Sequence, residues 1–241
     1  MKKRFSLYFA ILFCIGILAG CASEQEPIPS GNNSIGSGSQ ASRPPQSAAG
    51  VSGQPGEASG EASTVYMTTD ISAQGLMAVY EALGAELPEG NIAVKISTGE
   101  PGSNYLRPEL IGNLVRAVNG TIVECNTAYG GQRANTAYHL QVAEDHGYTA
   151  IADVDIMDAD GSMTLPVTGG THLTENYVGA NFANYDYYII LSHFKGHSMA
   201  GFGGAIKNTS IGIASSDGKA HIHSGGTGGS MWGGDQDAFL E

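Results

Sequence analysis

Residues whose side chains could do chemistry crowd into one stretch, residues 192–208, with the sequence SHFKGHSMAGFGGAIKN. Imidazoles and amines transfer protons and bind metals or anions, and glycines without Cβ atoms let the backbone approach a ligand closely. A glycine-rich turn with solvated charges is the alternative, but several such groups close together favour a ligand site. The residues singled out in this stretch are His193, Lys195, His197, Gly203, Gly204, Lys207 and Asn208.

A predicted strand leads directly into this stretch. Residues 185–191, with the sequence YDYYIIL, are aromatic and β-branched, which is typical of a buried strand. In open α/β sheets, ligands bind outside the carboxyl ends of the strands. The sequence therefore predicts a site where this strand ends.

Strands and helices alternate along the chain before this point. Apolar residues at helical spacing predict helices over residues 72–83, from Pro108 to residue 118 and over residues 135–146. The alternation predicts an α/β fold with a mostly parallel sheet and helices on its faces. Strands are predicted at residues 65–68, 91–97, 120–125, 149–155 and 185–191.

Polar side chains recur at the ends of the predicted strands, among them Lys95 and Glu124. The carboxyl ends of parallel strands lie at one edge of the sheet, so the loops that follow should share a cleft. Lys95 is assigned to ligand binding on this basis. Capping of helices or solvation is the alternative for the acidic residues.

More basic residues follow the central stretch at Lys219, His221 and His223. On a strand the two histidines would face the same side, and they are added to the site. Residues 235–241 look like the opening of a helix, so we expect the α/β domain over residues 64–241 to be C-terminally incomplete.

The N-terminus has the pattern of a secretory signal, in which three basic residues precede an apolar run from Phe5 to Leu18. The following LAGC, residues 18–21, resembles the lipobox of bacterial lipoproteins. That resemblance implies a lipoprotein signal peptide over residues 1–20, lipidation of Cys21 and a cell-membrane anchor on the extracytoplasmic side. An uncleaved membrane helix is the alternative, but the apolar run is short for one.

Residues 22–63 are Ser, Gly, Pro, Ala, Gln and Asn with almost no large apolar residue. Such a composition cannot bury enough surface to offset the entropy of ordering. We therefore expect residues 21–63 to be the lipidated cysteine and a flexible linker.

Charge and cysteine content exclude several functions. The chain has 11 Lys and Arg against 23 Asp and Glu, a net charge of −12, which argues against nucleic acid as a partner. The few cations beyond residue 63 are expected to serve a site. With 3 cysteines, of which Cys14 would leave with the signal and Cys21 would carry lipid, neither a disulfide nor a four-cysteine metal site remains possible within this chain.

The segment from residue 193 to residue 208, together with Ala214-Ser215 and Gly218-Lys219, closely resembles the prokaryotic family called domain of unknown function 362. The likeness runs from about Val65 to the end of the chain. Some family members are labelled iron–sulfur centre proteins, and in those with a ferredoxin-like insert the cluster cysteines follow this region. Those cysteines are missing here, so an iron–sulfur cluster is not expected in this chain.

Residues 197–207 are more distantly similar to the His-x-x-Ala-Gly-Phe-Ser-Gly-Gly-x-Lys segment of nickel-pincer lactate racemases. This resemblance implies that His197 is a catalytic acid/base, that Lys207 anchors a cofactor covalently and that His223, sixteen residues after Lys207, is a nickel ligand.

The same resemblance implies substrate contact for Arg107, which stands with Pro108 at a predicted helix start. The second catalytic histidine of the racemases is replaced by Gln132 here. An amide cannot accept a proton near neutral pH, so lactate racemisation is not expected.

Three hypotheses follow from these residues. The first is a metal or cofactor site, with or without catalysis, for a small anionic substrate; imidazole ligands suit nickel, zinc or iron alike. The second is a non-catalytic surface receptor for a small anion or metal, and the third is an iron–sulfur-associated redox protein whose cluster segment is missing. The assignments are catalysis for His197 and Lys207, metal binding for His193, His197 and His223, and ligand binding for Lys95, Arg107, Lys195, Gly203, Gly204, Asn208 and His221.

Overall fold

The computed structural model describes residues 10–14, 64–87, 89–228, 231 and 238. The predicted lipidation site Cys21 and the linker over residues 22–63 lie outside these residues. So does the predicted opening of a C-terminal helix over residues 235–241, apart from Ala238.

A parallel sheet forms the centre of the molecule, with strands in the order β1-β7-β2-β3-β4. Its middle strands are in register at Val94, which pairs with Ile122 on one side and with Ile189 on the other. The predicted α/β fold with a mostly parallel sheet is confirmed. The strands of this sheet are β1 Ala10–Cys14, β2 Ile92–Lys95, β3 Thr121–Glu124, β4 Val154–Ile156 and β7 Tyr187–His193.

Two antiparallel hairpins complete the strands, β5 Ser162–Pro166 with β6 Glu175–Gly179, and β8 Lys195–His197 with β9 Gly201–Gly203. Neither hairpin was predicted. Exposed and half-buried residues alternate along β5, so no run of large apolar residues marks it. The strands β8 and β9 have three residues each, too few to show a period.

The helices confirm the predicted positions where apolar spacing was clear. Helix α1 begins after Ser72 and α3 after Asn135, and both side chains accept hydrogen bonds from backbone N–H groups of the first turn. Helix α2 begins at Pro108, which suits the first turn because it needs no N–H there. The helices are α1 Ala73–Ala82, α2 Pro108–Ala117, α3 Thr136–Asp145, α4 Ala205–Thr209 and α5 Ser216–His223.

Three sequence predictions of secondary structure are wrong in whole or in part. The strand predicted at residues 149–155 begins only at Val154, since Tyr148–Ala150 form a 3-10 helix. Residues 65–68 form no strand; Val65 and Met67 are 73% exposed, so no neighbouring strand covers them. His221 and His223 lie on helix α5 rather than on a strand. Residues two apart on a helix point in different directions, so these two histidines do not face the same side.

The two faces of the sheet pack against different partners. One face and the helices α1 and α2 bury a cluster that includes Leu76, Val94 and Leu114. The other face buries a cluster that includes Val123 and Ile190. The sheet is therefore fixed on both sides, and its carboxyl edge is held rigidly for a site. Within the described part of the chain, no helix is long and apolar enough to cross a membrane.

Candidate functional site

A cavity of about 420 Å³ lies at the carboxyl ends of β2, β3 and β7. Helices α4 and α5, the β8–β9 hairpin and the loop after β3 contribute much of its further lining. The structure thus brings most of the sequence-predicted site residues to one place. Those that line the cavity are Lys95, His193, Lys195, His197, Gly203, Gly204, Lys207, Asn208 and His223.

Two predicted site residues do not line this cavity. The guanidinium of Arg107 lies over the ring of Tyr105, with its Cζ 4.6 Å from the ring centroid. The ring of His221 packs at 4.8 Å from the ring of Tyr177. Both side chains are occupied by aromatic neighbours, and their predicted ligand-binding roles receive no support from the structure.

Positive charge is concentrated in the cavity. Of the seven Lys and Arg residues between residues 64 and 228, only Arg107 and Arg116 do not line it. Among the described lining residues, Glu124 is the single acid. The whole chain carries a net charge of −12, so this pocket is a positive region on a negative molecule and will attract anions. The five cations are Lys95, Arg133, Lys195, Lys207 and Lys219.

Lys95 is the innermost of these cations and is fully buried at the end of β2. Its ammonium donates to Oε2 of Glu124 at 2.9 Å, to Oδ1 of Asn208 at 2.8 Å and to the backbone carbonyl of Ile96 at 2.5 Å. An ammonium has three hydrogens, and all three are used. Lys95 therefore holds the wall of the cavity together rather than offering a donor to a ligand.

Glu124 stands between two cations at the end of β3. It pairs with Lys95 at 2.9 Å and with Nη1 of Arg133 at 3.4 Å. Burial alone would raise the pKa of Glu124, but the charges of Lys95 and Arg133 outweigh burial and lower this pKa to about 2. The carboxylate stays ionised and compensates part of the buried positive charge.

Arg133 was not among the predicted site residues. Its Nε and Nη2 atoms donate to Oε1 of Glu100 at 2.9 and 2.7 Å, and Nη2 also donates to the hydroxyl of Tyr129 at 3.1 Å. The sequence signals for it were the scarcity of cations beyond residue 63 and its place after Gln132 in the loop that resembles a catalytic loop of the racemases. Its role is to fix the loop after β3 against the cavity.

Lys219, on α5, is a second residue that the site assignments missed. Its buried ammonium donates to the carbonyl of Ala214 at 2.5 Å and to that of Cys125 at 3.4 Å. Burial lowers the pKa of Lys219 from its ordinary value. Two of its three hydrogens are used by backbone carbonyls, which leaves one for a ligand in the cavity.

Lys207, on the short helix α4, differs from these buried cations. Its side chain is half-buried, and among the described residues its ammonium has neither a hydrogen-bond partner nor an ion-pair partner. Burial is the largest cause that lowers the pKa of Lys207, to about 8, and the positive charges of Lys195, Lys219 and Lys95 lower it further. About one fifth of this amine is therefore neutral at pH 7.4.

Gly204 and Asn208 fix the two ends of the short helix α4. A Cβ atom on Gly204, immediately before the helix, would lie 2.5 Å from the ring of Phe202. Asn208 then ties the helix to the sheet, because its Nδ2 donates to the hydroxyl of Ser192 at 3.0 Å and its Oδ1 accepts from Lys95. The helix that carries Lys207 is thus fixed to the ends of two strands.

His197 has a defined tautomer. Its Nδ1 accepts hydrogen bonds from the backbone N–H groups of Met199 at 3.2 Å and Ala200 at 3.1 Å. A nitrogen that accepts cannot carry the ring proton, so the neutral ring is protonated at Nε2. Burial and the neighbouring charges of Lys207 and Lys195 lower the pKa of His197, which favours the neutral ring. His197 is therefore a hydrogen-bond donor.

His223 has the opposite tautomer. Its Nδ1 lies 2.6 Å from the backbone carbonyl of Lys219, and a carbonyl only accepts, so the ring proton is on Nδ1. Burial is the largest influence on the pKa of His223; it and the charge of Lys207 lower this pKa, while the hydrogen bond to Lys219 opposes them. The neutral ring therefore carries its lone pair on Nε2.

The β8–β9 hairpin forms the outer part of the site. Lys195 is exposed there, and the rings of Phe194 and Phe202 pack together with centroids 4.6 Å apart. Both rings are more than two-fifths exposed. The hairpin thus offers a charge at the mouth of the cavity beside an apolar surface.

The predicted metal site depends on which ring nitrogens of its histidines carry protons. A histidine binds a metal through a ring nitrogen that carries no proton, and the hydrogen bonds to His197 leave its proton on Nε2. Over the described residues, no three His, Cys, Asp or Glu side chains are grouped so that they could hold a metal ion. A nickel, zinc or iron site at His193, His197 and His223 receives no support from this arrangement and stays a prediction.

An iron–sulfur cluster does not fit the described residues either. Clusters are held by cysteine thiolates. Cys125 is buried, its Sγ lies 3.2 Å from the carbonyl of Ile213, and burial raises the pKa of its thiol to about 12. A thiol of this kind stays protonated and cannot serve as a cluster ligand.

Fold and site together define an α/β domain with a cation-lined cavity at the carboxyl edge of its parallel sheet. A family model described as Domain of unknown function (DUF362) matches residues 92–239, and the chain belongs to this family. The resemblance read from the central stretch is confirmed. The more distant similarity to nickel-pincer lactate racemases is not confirmed by the comparisons. No curated protein and no solved structure matches the chain.

Proposed function

We propose that this domain binds a small molecule with a carboxylate or phosphate group in the cavity. We propose further that it acts on this molecule with Lys207 and the imidazoles of His197 and His223. The observation that carries the proposal is that one cavity of a negatively charged chain is lined by five of the seven Lys and Arg side chains between residues 64 and 228. Because the molecule as a whole repels anions, an anion that binds is held by this local field.

The cations that line the cavity have different roles in binding. Lys95 and Arg133 are engaged by carboxylates and amides of the protein and contribute mainly to the field. Lys219 has one hydrogen left for a ligand, and Lys195 stands at the mouth. Charge-assisted hydrogen bonds from such amines are stronger than neutral ones, so an anionic group would seat near Lys195 and Lys219.

His197 and His223 support chemistry as well as binding. Each lines the cavity, and the neutral ring of His197 presents its Nε2–H as a hydrogen-bond donor. Such a donor can stabilise negative charge that develops on an oxygen of the ligand, and imidazole is the side chain that most often exchanges protons in catalysis. A non-catalytic receptor would use the same pocket, and it would return its ligand unchanged.

We further propose that the domain is tethered to the cell membrane through lipid on Cys21, with residues 22–63 as the linker. Cleavage before Cys21 would remove residues 1–20 and, with them, strand β1 at the edge of the sheet. The support is the sequence alone, in which LAGC at residues 18–21 follows a secretory signal pattern. The site would then act on the extracytoplasmic side.

The test of anion binding is thermal unfolding of the full chain with inorganic phosphate, malonate or pyruvate, each compared with uncharged glycerol. A bound anion at one hundred times its dissociation constant should stabilise the protein by about 2.7 kcal/mol, while glycerol at the same concentration should not. Incubation followed by recovery of the anion separates catalysis from simple binding.

Variants sharpen this test. Lys195→Ala removes an exposed cation of the cavity and should weaken binding about tenfold, with little effect on folding. Arg116→Ala is the matched control, because Arg116 is exposed and does not line the cavity. Equal stabilisation by anions and glycerol, or equal losses in the two variants, would contradict the proposal.

A further inference from the structure

We propose that Lys207 forms an imine with the carbonyl carbon of its ligand, and that the ligand class is a short oxo acid, an aldehyde or ketone that also bears a carboxylate. This inference rests on the proposed function, because it assumes that an anion enters the cavity. It adds the chemical class of the substrate and the bond that the protein makes to it.

The position of Lys207 sets it apart from the other amines of the cavity. Lys95 and Lys219 donate to carbonyls or carboxylates of the protein, which keeps their ammonium groups occupied. The amine of Lys207 faces the same cavity without such a partner among the described residues. A free amine against a ligand cavity, surrounded by positive charge, is the arrangement that activates a lysine as a nucleophile.

The pKa of about 8, lowered first by burial and then by Lys195 and Lys219, agrees with this geometry. An ordinary lysine with a pKa near 10.4 is almost entirely protonated at pH 8 and has no lone pair to offer. About half of the Lys207 side chains are neutral at that pH. The neutral amine is the species that attacks a carbonyl.

Imine formation at Lys207 requires one new bond, the loss of the carbonyl oxygen and the transfer of two protons. The lone pair of Nζ of Lys207 adds to the carbonyl carbon, and the electrons of the C=O double bond move to its oxygen. Both hydrogens of the amine are passed in turn to that oxygen through solvent water, while the Nε2–H of His197 donates a hydrogen bond to the oxygen. The oxygen leaves as water, so the sum is amine plus carbonyl giving imine plus water, with no oxidant or reductant.

The carboxylate of the ligand supplies recognition. Lys219 has one unused hydrogen and Lys195 is exposed at the mouth, so both can bind a carboxylate while the neighbouring carbonyl faces Lys207. A cavity of about 420 Å³ is at the small end of ligand pockets and suits a molecule of a few carbon atoms. A neutral ketone would lack the charge that the pocket selects.

The experiment is trapping with borohydride. The full chain is incubated with pyruvate or glyoxylate at pH 8 and then treated with sodium borohydride, which reduces an imine to a stable secondary amine. Peptide mass mapping locates the adduct. We expect at least about tenfold more adduct on Lys207 than on any other lysine, given its lower pKa, and far less with acetone, which has a carbonyl but no charge.

Two variants and a parallel measurement of anion binding test the inference. Lys207→Arg keeps a cation but should lose the adduct, whereas Arg116→Ala should keep it; thermal unfolding checks that both variants are folded. Stabilisation by lactate and pyruvate is measured in parallel. If these anions stabilise the protein without any adduct on Lys207, the imine is wrong and anion binding stands. If neither they nor phosphate stabilises it, the proposed function itself fails. An adduct spread evenly over the lysines would also overturn the inference.

Discussion

The ammonium of Lys95 donates a hydrogen bond of 2.8 Å to Oδ1 of Asn208 and thereby joins the end of β2 to the helix that carries Lys207. The same amide donates to the hydroxyl of Ser192 at 3.0 Å, at the end of β7. One side chain therefore connects two strands and α4. The placement of Lys207 depends on this connection.

Asn208→Ala should destabilise the protein and loosen α4. The change leaves a buried hydrogen of Lys95 without an acceptor, which costs about 1–3 kcal/mol. Urea unfolding measures the loss. Ser210→Ala is the control on the same segment, because Ser210 is exposed and should change stability by less than about 0.5 kcal/mol. Equal effects of the two substitutions would show that the amide connection is not important.

Glu124→Gln should be the more damaging change at the base of the site. The amide leaves Lys95 and Arg133 buried without their shared carboxylate, and breaking a buried pair in this way costs about 3–5 kcal/mol. Glu109→Gln, on the exposed first turn of α2, is the matched control. Urea unfolding at pH 7 of both variants tests the prediction, and a loss no larger than that of the control would contradict it.

The same carboxylate predicts how stability depends on pH. The pKa of Glu124 is about 2 in the folded protein, because Lys95 and Arg133 outweigh the effect of burial, against about 4.3 in an unfolded chain. The stabilisation is present above the unfolded value and is lost as pH falls through 4 towards 2; it amounts to about 3 kcal/mol. Unfolding curves between pH 7 and pH 2.5 should show this loss, and Glu124→Gln should lack this part of it.

Lys207→Met should stabilise the folded protein at pH 7, whereas Lys95→Met should destabilise it. The pKa of Lys207 is lowered by burial and by Lys195 and Lys219, so its charged form is disfavoured in the folded state. That penalty is complete below about pH 8 and disappears as pH rises past the unfolded value of about 10.4. His197, His223 and Glu124 face the same cavity and titrate outside this window.

Lys95 is the matched lysine for this comparison, because its removal leaves Glu124 with one buried partner fewer and should cost about 3–5 kcal/mol. Urea unfolding at pH 7 and at pH 9.5 measures both variants. If Lys207→Met were less stable than the parent chain at pH 7, the side chain would be structural and the lowered pKa would be wrong.

Cys21→Ser should release the protein from the membrane fraction. The thiol is the lipid attachment point that LAGC at residues 18–21 predicts, and a serine cannot take the thioether-linked lipid. Cells grown with labelled palmitate should label the parent chain and not the variant. Cys14→Ser is the control, since Cys14 lies within the predicted signal peptide, and it should remain labelled.

Much of the fold could be predicted because its signals are local. The helices after Ser72 and from Pro108 were found from apolar residues at helical spacing that lie within a dozen positions of each other. Strand β7 was found from its run of aromatic and β-branched residues. The β5–β6 hairpin was missed, because its pairing across residues 162–179 is a relation between two segments that are weakly patterned on their own.

For the site, the sequence by itself determined that His197, Lys207 and Asn208 belong to a glycine-rich segment following a buried strand, and it determined the family. It did not show which of the lysine amines are already engaged in hydrogen bonds within the protein. Lys95 and Asn208 are 113 positions apart, and Lys219 and Cys125 are 94 apart, so the hydrogen bonds that occupy Lys95 and Lys219 exist only after folding.

The tautomers of His197 and His223 are likewise set by the backbone around them in the folded state. Residue types and their spacing bring groups to a place, because strand ends are local features of the chain. The charge states of those groups, and the hydrogen bonds that they already make within the protein, depend on burial and on distant partners. Only the tertiary structure decided them.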